Sequence, residues 1–413
     1  MLKQDDIKGM DKAVLLTILV AALGYFVDIF DLLLFSIVRV QSLKDLGISG
    51  DGLLSTGIFL INTQMAGLLI GGILWGVLGD RMGRVSVLLG SILLYSIANI
   101  LNGFVTDVNQ YAALRFIAGI GLAGELGAGI TLASELLPKK IRGLGTTFIA
   151  ATGVLGAMFA AFVADIADWR TAYIVGGVMG LCLLVMRVRM CESGFFEKTC
   201  RTEGVSRGNF LILLTRWNLL KKYIAIILVG APIWCTVGIF ITFTPEFSRD
   251  FGMVGPLPTA GQAVFYSYLG LAFGDMFSGF LSQHLRSRRK SVILFLGFLA
   301  AATALFVMGP HTSLTTYYTL CFIIGMASGY WAMFIQIGAE QFGTNIRATA
   351  ATSIPNFVRA LTIPMTAGFH ALIPHMGITA SGVTVMAIAL TLALVSILSL
   401  KETFHADLDY LED

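Results

Sequence analysis

The sequence predicts an all-α membrane protein, and two observations carry the prediction. Of its 413 residues, 56% are hydrophobic and only 13% are charged, whereas about a quarter of the residues in a soluble domain are charged. The mean hydropathy is +0.82. Apolar stretches of about 20 residues recur between short polar breaks, which is the length a helix needs to cross a bilayer. They are too continuously apolar for barrel strands. An ordinary soluble enzyme is therefore excluded.

The polar breaks divide the chain into twelve predicted transmembrane helices. They lie near residues 13–38, 53–79, 85–105, 109–136, 144–168, 171–189, 223–244, 260–284, 291–309, 314–342, 347–372 and 378–399. We take the first stretch for a membrane span, because it lacks the small-residue cleavage site that ends a secretion signal.

The basic residues predict the orientation of these helices. If both termini face the cytoplasm, most of the 28 Lys and Arg residues fall in cytoplasmic loops, including a cluster from Arg187 to Lys222. Four basic residues then lie outside: Arg39, Lys44, Arg170 and Arg249. This distribution follows the positive-inside rule. The short loops favour a bacterial inner membrane as the location.

The two halves of the chain resemble each other at an offset of about 205 residues, which indicates an internal repeat. The segment Phe116–Gly119 recurs as Phe322–Gly325, and Ile141-Arg142 recurs as Ile346-Arg347. We therefore predict two six-helix bundles, residues 1–190 and 223–400. Residues 191–222 form a cytoplasmic linker with a surface-lying helix, and residues 401–413 form a cytoplasmic tail.

The turn after the second predicted helix carries a motif, Gly76-Val77-Leu78-Gly79-Asp80-Arg81-Met82-Gly83-Arg84. It resembles the G-x-L-x-D-R-x-G-R signature of the major facilitator superfamily. The resemblance implies the major facilitator fold, two pseudo-symmetric six-helix bundles with alternating access. It also implies a conformational latch formed by Gly76, Asp80, Arg81, Gly83 and Arg84. A solvated turn with positive-inside arginines is the alternative. In the second copy Gln283 stands in place of the aspartate, so no latch is expected there.

Further motifs resemble one branch of that superfamily, the metabolite:proton symporters with their sugar and aromatic-acid porter relatives. The first helix carries Asp28-Ile29-Phe30-Asp31, and the fourth begins Arg115-x-x-x-Gly119-x-Gly121 and continues Gly124-Glu125-x-Gly127. The segments Ser134–Gly143, Glu192–Phe196 and Lys401–Phe404 resemble later motifs of the same families. The resemblance implies proton-coupled transport of a small metabolite.

Six ionisable residues fall inside predicted helices: Asp28, Asp31, Arg115, Glu125, Asp275 and Arg359. A charge at the centre of a membrane helix costs about 2.5–3.5 kcal/mol on insertion scales, so each needs a partner or a wet cavity. We expect Asp28 and Asp31 to meet Arg115 and to act as a proton switch, because protonation of a carboxylate releases its arginine. A permanent salt bridge between the first and fourth helices is the alternative.

Two of these charges suggest further sites. Glu125 is placed near the bilayer centre among glycines, as a second protonatable site or substrate contact, or else as a hydrogen-bonded tie between helices. Arg359 lies at mid-depth in the eleventh helix and favours an anionic substrate such as a carboxylate. Its pairing with Asp275 is the competing interpretation. Further candidate substrate contacts are Asn62, Gln64, Trp234, Tyr330, Trp331, Gln336 and Asn356.

These expectations describe a secondary active transporter that takes up a small organic solute, predicted to be an anionic metabolite, by proton symport. A drug/proton antiporter is the first alternative, and a receptor or sensor on a transporter fold is a remote one. No nucleophile–base constellation points to an enzyme. The five cysteines lack metal-ligand spacing, and no cofactor is indicated. A net charge of +3 gives no sign of nucleic acid. The expected partners are substrate, protons and lipid, and one chain is expected to function as a monomer.

Overall fold

The computed structural model describes residues 12–50, 52–127, 129, 142–187, 213, 215–342 and 344–404. Several sequence motifs therefore lie wholly or largely outside the described residues: Ser134–Gly143, Glu192–Phe196, most of the linker 191–222 and most of the tail 401–413. The latch side chains Asp80, Arg81 and Arg84 also lie outside the description, although the backbone around them is helical.

The N-terminal half contains six described helices. They are α1 (Lys12–Asp45), α2 (Gly52–Met82), α3 (Arg84–Asn102), α4 (Val108–Leu122), α5 (Arg142–Ile166) and α6 (Trp169–Arg187). Helices α2 and α3 are joined at Gly83, whose φ of 97° is in the region that favours glycine. This turn requires the glycine that the signature places there. Each helix follows one predicted span, although α1 continues beyond its predicted end at residue 38.

The C-terminal half contains eight α-helices and one π-helical segment. They are α7 (Trp217–Cys235), the π-helix Thr236–Ile241, α8 (Thr244–Asp250), α9 (Ala260–Leu285), α10 (Arg288–Met308), α11 (Leu314–Ala327), α12 (Trp331–Glu340), α13 (Thr344–Ala360) and α14 (Thr362–Ser399). Helices α11 and α12 together form the tenth predicted span. Gly377, with φ 79°, divides α14 into the end of the eleventh span and the twelfth.

The described helices thus follow the order of the predicted spans. In the part of the chain that the structure describes, nine segments are long and apolar enough to cross a membrane. At the first turns of four helices, a side-chain oxygen accepts hydrogen bonds from backbone N–H groups. These donors have no partner inside the helix. These capping residues are Asp107, Thr259, Ser287 and Ser313.

The internal repeat is visible in the packing of the helices. A Cβ added at Gly67 of α2 would lie 2.2 Å from the carbonyl oxygen of Phe116 in α4. The equivalent position in the second half is Gly270 of α9, where a Cβ would lie 2.1 Å from the carbonyl oxygen of Phe322 in α11. Small residues allow helix backbones to approach this closely. The same contact is therefore built twice.

The two halves meet through helix pairs that the repeat relates to each other. Helix α2 packs against α13, and α5 packs against α9. Within each half the corresponding pairs α2–α4 and α9–α11 form extensive contacts. Helix α1 packs chiefly against α5, and helix α7 packs chiefly against α14. This arrangement brings residues of both halves to one central region.

The end of the chain caps a helix of the second half. Glu402 accepts hydrogen bonds from the hydroxyl of Ser287 and from the backbone N–H of Arg288 (3.0 Å) at the start of α10. Desolvation alone would raise the pKa of Glu402, but these hydrogen bonds outweigh it and lower the pKa. The segment Lys401–Phe404 thus has a structural role as an N-terminal cap.

The close glycine contact can be tested with two substitutions in the same helix. Gly270→Ala should lower the melting temperature of the detergent-purified protein, because the new methyl group meets backbone and overpacking costs about 1–3 kcal/mol. Gly279→Ala is the matched control, since a Cβ there meets nothing within 4 Å, and it should be neutral or slightly stabilising. Equal melting temperatures for the two variants would contradict the packing.

The cap at Glu402 predicts a pH-dependent stability difference. Because its folded pKa is depressed, the charge stabilises the protein above the unfolded pKa, and this contribution is lost as the pH falls through the folded pKa. Glu402→Gln should therefore melt below wild type at pH 7, and the gap should narrow below about pH 4. Lys401→Gln is the neighbouring control. A gap that stays constant from pH 7 to pH 3 would refute the capping role.

Candidate functional site: a charged cavity between the halves

A cavity lies where the two halves meet, and about 30 Å³ of it is accessible to water. This is room for about two water molecules, which is less than a bound organic molecule occupies. The wall combines aromatic, aliphatic and charged side chains from α1, α5, α7 with its π-segment, α9, α12 and α13. These residues are Tyr25, Ile29, Val154, Ile233, Trp234, Val237, Tyr268, Leu271, Asp275, Trp331 and Arg359.

Arg359 is the cation of this cavity. Its Nη2 donates a hydrogen bond to Oδ2 of Asp28 at 3.3 Å, and neither side chain has any exposed surface. The pair joins α1 of the first half to α13 of the second. Nε and Nη1 of Arg359 and Oδ1 of Asp28 find no hydrogen-bond partner among the described residues. The ion pair is therefore only partly satisfied.

Asp275, the partner suggested for Arg359 by the sequence, is engaged elsewhere. Its Oδ1 accepts the backbone N–H of Ala332 at 3.1 Å, in the first turn of α12. A carboxylate is favoured at a helix N-terminus, where backbone N–H groups lack partners. The predicted pairing of Arg359 with Asp275 is thus replaced by the pair with Asp28, although Asp275 still borders the same cavity.

Two tryptophans form an aromatic corner beside the arginine. The rings of Trp234 and Trp331 meet edge to face, with centroids 6.3 Å apart. The guanidinium carbon of Arg359 lies 5.8 Å from the Trp234 ring centroid, within reach of a cation–π interaction. Helix α7 contains Pro232 and passes into a π-helix at Thr236, a departure from α-geometry that is common at functional sites. The cavity therefore presents a cation beside aromatic faces.

A second polar cluster lies about one helical turn along α1. Arg115 donates to the backbone carbonyl of Asp31 and to Oδ1 of Asn99, both at 3.4 Å, and its guanidinium lies 5.2 Å from the Tyr173 ring. The carboxylate oxygens of Asp31 are buried and have no hydrogen-bond partner among the described residues. Asp31 and Arg115 are thus adjacent, but the expected carboxylate–arginine hydrogen bond is not formed in this state.

Glu125 is held by a different arginine. Arg187 donates to both of its carboxylate oxygens, at 2.8 and 2.7 Å, and the hydroxyl of Ser91 donates to one of them at 3.0 Å. Arg187 also donates to the carbonyl of Leu88 at 3.0 Å. The geometry favours the helix-tie interpretation of Glu125.

This contact shows what surrounds both residues. The side chain of Arg187 is fully buried at the last turn of α6. Helix α4 ends at Leu122, and Glu125 lies beside Ser91 of α3 and Arg187 of α6. The depth of Glu125 in the bilayer stays a prediction.

Comparison with known proteins places this geometry in a family. The model of the Major Facilitator Superfamily matches residues 21–367. This chain belongs to that superfamily. It is an integral membrane transporter and not an enzyme.

Two relatives and one solved structure illustrate the similarity. The 3-(3-hydroxy-phenyl)propionate transporter of Escherichia coli is 27% identical over 75% of this chain and 76% of the relative. The benzoate transport protein of Acinetobacter baylyi is 22% identical over 80% and 78%. The crystal structure of a D-xylose-proton symporter has a TM-score of 0.70 at 18% identity and covers 94% of this chain and 97% of that chain. The structural likeness shows the shared fold.

The other predicted contacts of the transporter lie away from the cavity. Tyr330 donates to the carbonyl of Val229 at 3.0 Å, and exposed Gln336 accepts a hydrogen bond from Arg288 at 3.1 Å. Gln64 is buried on α2, where its backbone contacts Gly119. The sequence assigns these residues to helices, but a position along a helix does not tell which way a side chain faces.

Two predicted residues instead connect the halves of the transporter. Asn356 of α13 donates to the carbonyl of Ala123 at 2.9 Å. Asn62 of α2 accepts a hydrogen bond from the hydroxyl of Thr366 in α14 at 2.7 Å. These contacts lie at the interface between the two halves.

Sequence reasoning missed two aromatic residues of the cavity, Tyr25 and Tyr268. A usable signal was present, since Tyr25 lies three residues before Asp28 and Tyr268 lies seven before Asp275. Residues at these spacings share a helix face. An aromatic residue on the face of an intramembrane carboxylate was therefore a better indicator of the cavity than a polar residue elsewhere in the span.

The buried pair at Glu125 yields a rescue experiment. Glu125→Leu should destabilise the transporter by about 3–5 kcal/mol, because Arg187 is left charged and unpaired. Adding Arg187→Met should restore most of the loss in thermal unfolding, since an apolar pair needs no ionic partner. Uptake in proteoliposomes should return with stability. A double variant that is stable but has lost proton-driven uptake would assign Glu125 to proton coupling instead.

Proposed function

We propose that this transporter takes up a small organic carboxylate together with protons by alternating access. The observation that carries the proposal is Arg359, a fully buried arginine at the cavity between the halves, two of whose nitrogens make no hydrogen bond among the described residues. A guanidinium binds carboxylates through charge-assisted hydrogen bonds, and it repels a cation. A cavity of this kind is matched to an anion rather than to the cationic substrates of many drug exporters.

The walls narrow the proposed substrate class. Trp234, Trp331, Tyr25 and Tyr268 surround the arginine with apolar ring faces, and such faces suit an aromatic or similarly flat organic body. The relatives compared above are named for 3-(3-hydroxy-phenyl)propionate and benzoate, which are both aromatic carboxylates. We therefore propose an aromatic monocarboxylate as the substrate, with its carboxylate on Arg359 and its ring against Trp234 and Trp331.

Proton handling is assigned to the carboxylates of α1. Asp28 and Asp31 are completely buried, and a carboxylate in such a place is stable only when paired or protonated. Asp28 touches Arg359 directly, whereas Asp31 lies beside Arg115. We propose that protonation of these carboxylates accompanies substrate binding, and that the neighbouring charge of Arg115 lets Asp31 exist in both its protonated and its ionised form. The transporter would work as a monomer in a bacterial inner membrane.

Transport by purified protein in liposomes tests this proposal. An inside-alkaline pH gradient should drive uptake of 3-(3-hydroxyphenyl)propionate or benzoate, and tetraphenylphosphonium should not be carried. Arg359→Ala should weaken carboxylate binding about 10- to 100-fold, which corresponds to a charged hydrogen bond of about 1.5–3 kcal/mol. Replacing both carboxylates of α1, Asp28→Asn together with Asp31→Asn, should make uptake insensitive to the gradient.

The matched control is Gln336→Ala, since Gln336 faces away from the cavity and is exposed. Its affinity and uptake should equal those of wild type. Carboxylate uptake that ignores both the pH gradient and Arg359→Ala would refute the proposed function. Export of lipophilic cations by the same liposomes would support the antiporter alternative.

A further inference from the structure

The buried ion pairs of this protein fall into two kinds. In the pairs Arg187–Glu125, Arg288–Glu340 and Arg39–Glu246, the arginine reaches both carboxylate oxygens at 2.6–2.8 Å. In the pair Arg359–Asp28 a single bond of 3.3 Å reaches one oxygen. Strong arginine–carboxylate pairs are short and engage both oxygens. The pair at the cavity is thus the one of these four that is built incompletely.

We propose that Asp28 is a built-in competitor for the substrate, whose carboxylate displaces that of Asp28 from Arg359. This inference rests on the proposed function and adds the mechanism by which binding is linked to a proton. Nε and Nη1 of Arg359 make no hydrogen bond among the described residues, and its side chain borders the cavity, so these nitrogens are the donors that a substrate carboxylate can take. A substrate anion on those two donors weakens the hold of Nη2 on Asp28.

The displaced aspartate must then take up a proton. Asp28 is fully buried on α1, and a carboxylate that loses its only cation in such a place is stable in the neutral form. One substrate anion and one proton enter, and the ion pair becomes a protonated Asp28 and a substrate–Arg359 pair. The charge of the site is zero before and after. Both the empty and the loaded site can therefore cross between orientations without moving net charge.

Other charged and titratable groups surround Asp28, and they define what must be controlled. Asp31 and Tyr25 lie on the same helix, α1, and Arg115 and Glu125 lie on α4 and just after it. Tyr268 and Asp275 lie on α9, and Arg359 lies on α13. Glu125 is neutralised by Arg187 of α6 in a bidentate pair, and Asp275 is held by the N-terminus of α12. Asp31 is the remaining carboxylate that could take the proton in place of Asp28.

The pair also connects the proton to the movement of the halves. Asp28 and Arg359 are 331 positions apart in the chain and belong to different halves. Breaking their bond removes one contact between α1 and α13, while the interface contact of Asn356 with Ala123 lies nearby on the same helix. Displacement of Asp28 by a substrate thus changes the number of bonds that hold the halves together at the cavity.

Proton counting during binding tests the competition directly. Benzoate and 3-(3-hydroxyphenyl)propionate are titrated calorimetrically into purified protein at pH 7.5 in two buffers of different ionisation enthalpy. Wild type should take up close to one proton per ligand bound. Asp28→Asn should bind with no proton uptake, and its affinity should stay flat between pH 6 and 8.5. Wild-type affinity should fall up to about tenfold per pH unit in the alkaline part of that range.

Two further variants separate the outcomes. Gln336→Ala should give the wild-type proton count, and Asp28→Glu should retain uptake if Asp28→Asn proves too unstable to purify. Binding by wild type without proton uptake would overturn the competition while leaving carboxylate transport intact. If Asp31→Asn binds the ligand without proton uptake while Asp28→Asn still takes up a proton, the competition is also overturned and Asp31 is the residue that is protonated. If neither benzoate nor 3-(3-hydroxyphenyl)propionate binds to wild type at any pH, the proposed function itself fails.

Discussion

An ionised side chain cannot remain unpaired away from water, and this constraint organises the interior of the protein. Among the residues that the structure describes, four arginines have no exposed surface: Arg39, Arg115, Arg187 and Arg359. Arg39 and Arg187 each bind both carboxylate oxygens of a glutamate. Arg115 donates to a backbone carbonyl and to a side-chain amide. Arg359 binds an aspartate by a single hydrogen bond. The strength of each pairing separates structural ties from contacts that can open. Only weak pairs are available for a cycle that repeatedly breaks them.

The frame around these charges is built by close backbone packing. Glycines on α2 and α9 let each helix approach its neighbour at equivalent positions of the two halves. Such contacts gain dispersion energy and need no polar side chain, which suits helices surrounded by lipid. Under the proposed alternating access, the closely packed frame of each half leaves the interface between them as the place where contacts change. The polar residues of that interface then decide which arrangement is favoured.

Contacts between the halves occur at more than one level of the molecule. Arg39 of α1 binds Glu246 of α8, and the hydroxyl of Thr242 donates to Ser36 at 3.2 Å. Asp28 and Arg359 meet about 16 Å away along α1, as judged by helical rise. The Arg39–Glu246 pair is short, reaches both carboxylate oxygens and is mostly buried, so it ties the halves together at that level. The weaker central pair lies at the cavity, where a ligand has access to it.

The sequence alone determined that the chain folds into apolar helices long enough to cross a membrane, which superfamily signature joins two of them and which charges fall inside them. Apolar length and composition fix these features, because they depend on local stretches of chain. Only the tertiary structure decided the partners of those charges. Asp28 takes Arg359 rather than Arg115, and Glu125 takes Arg187. Depth can be counted along a chain, but the direction in which a side chain faces depends on helix rotation, on breaks such as the end of α4 and on packing between distant segments.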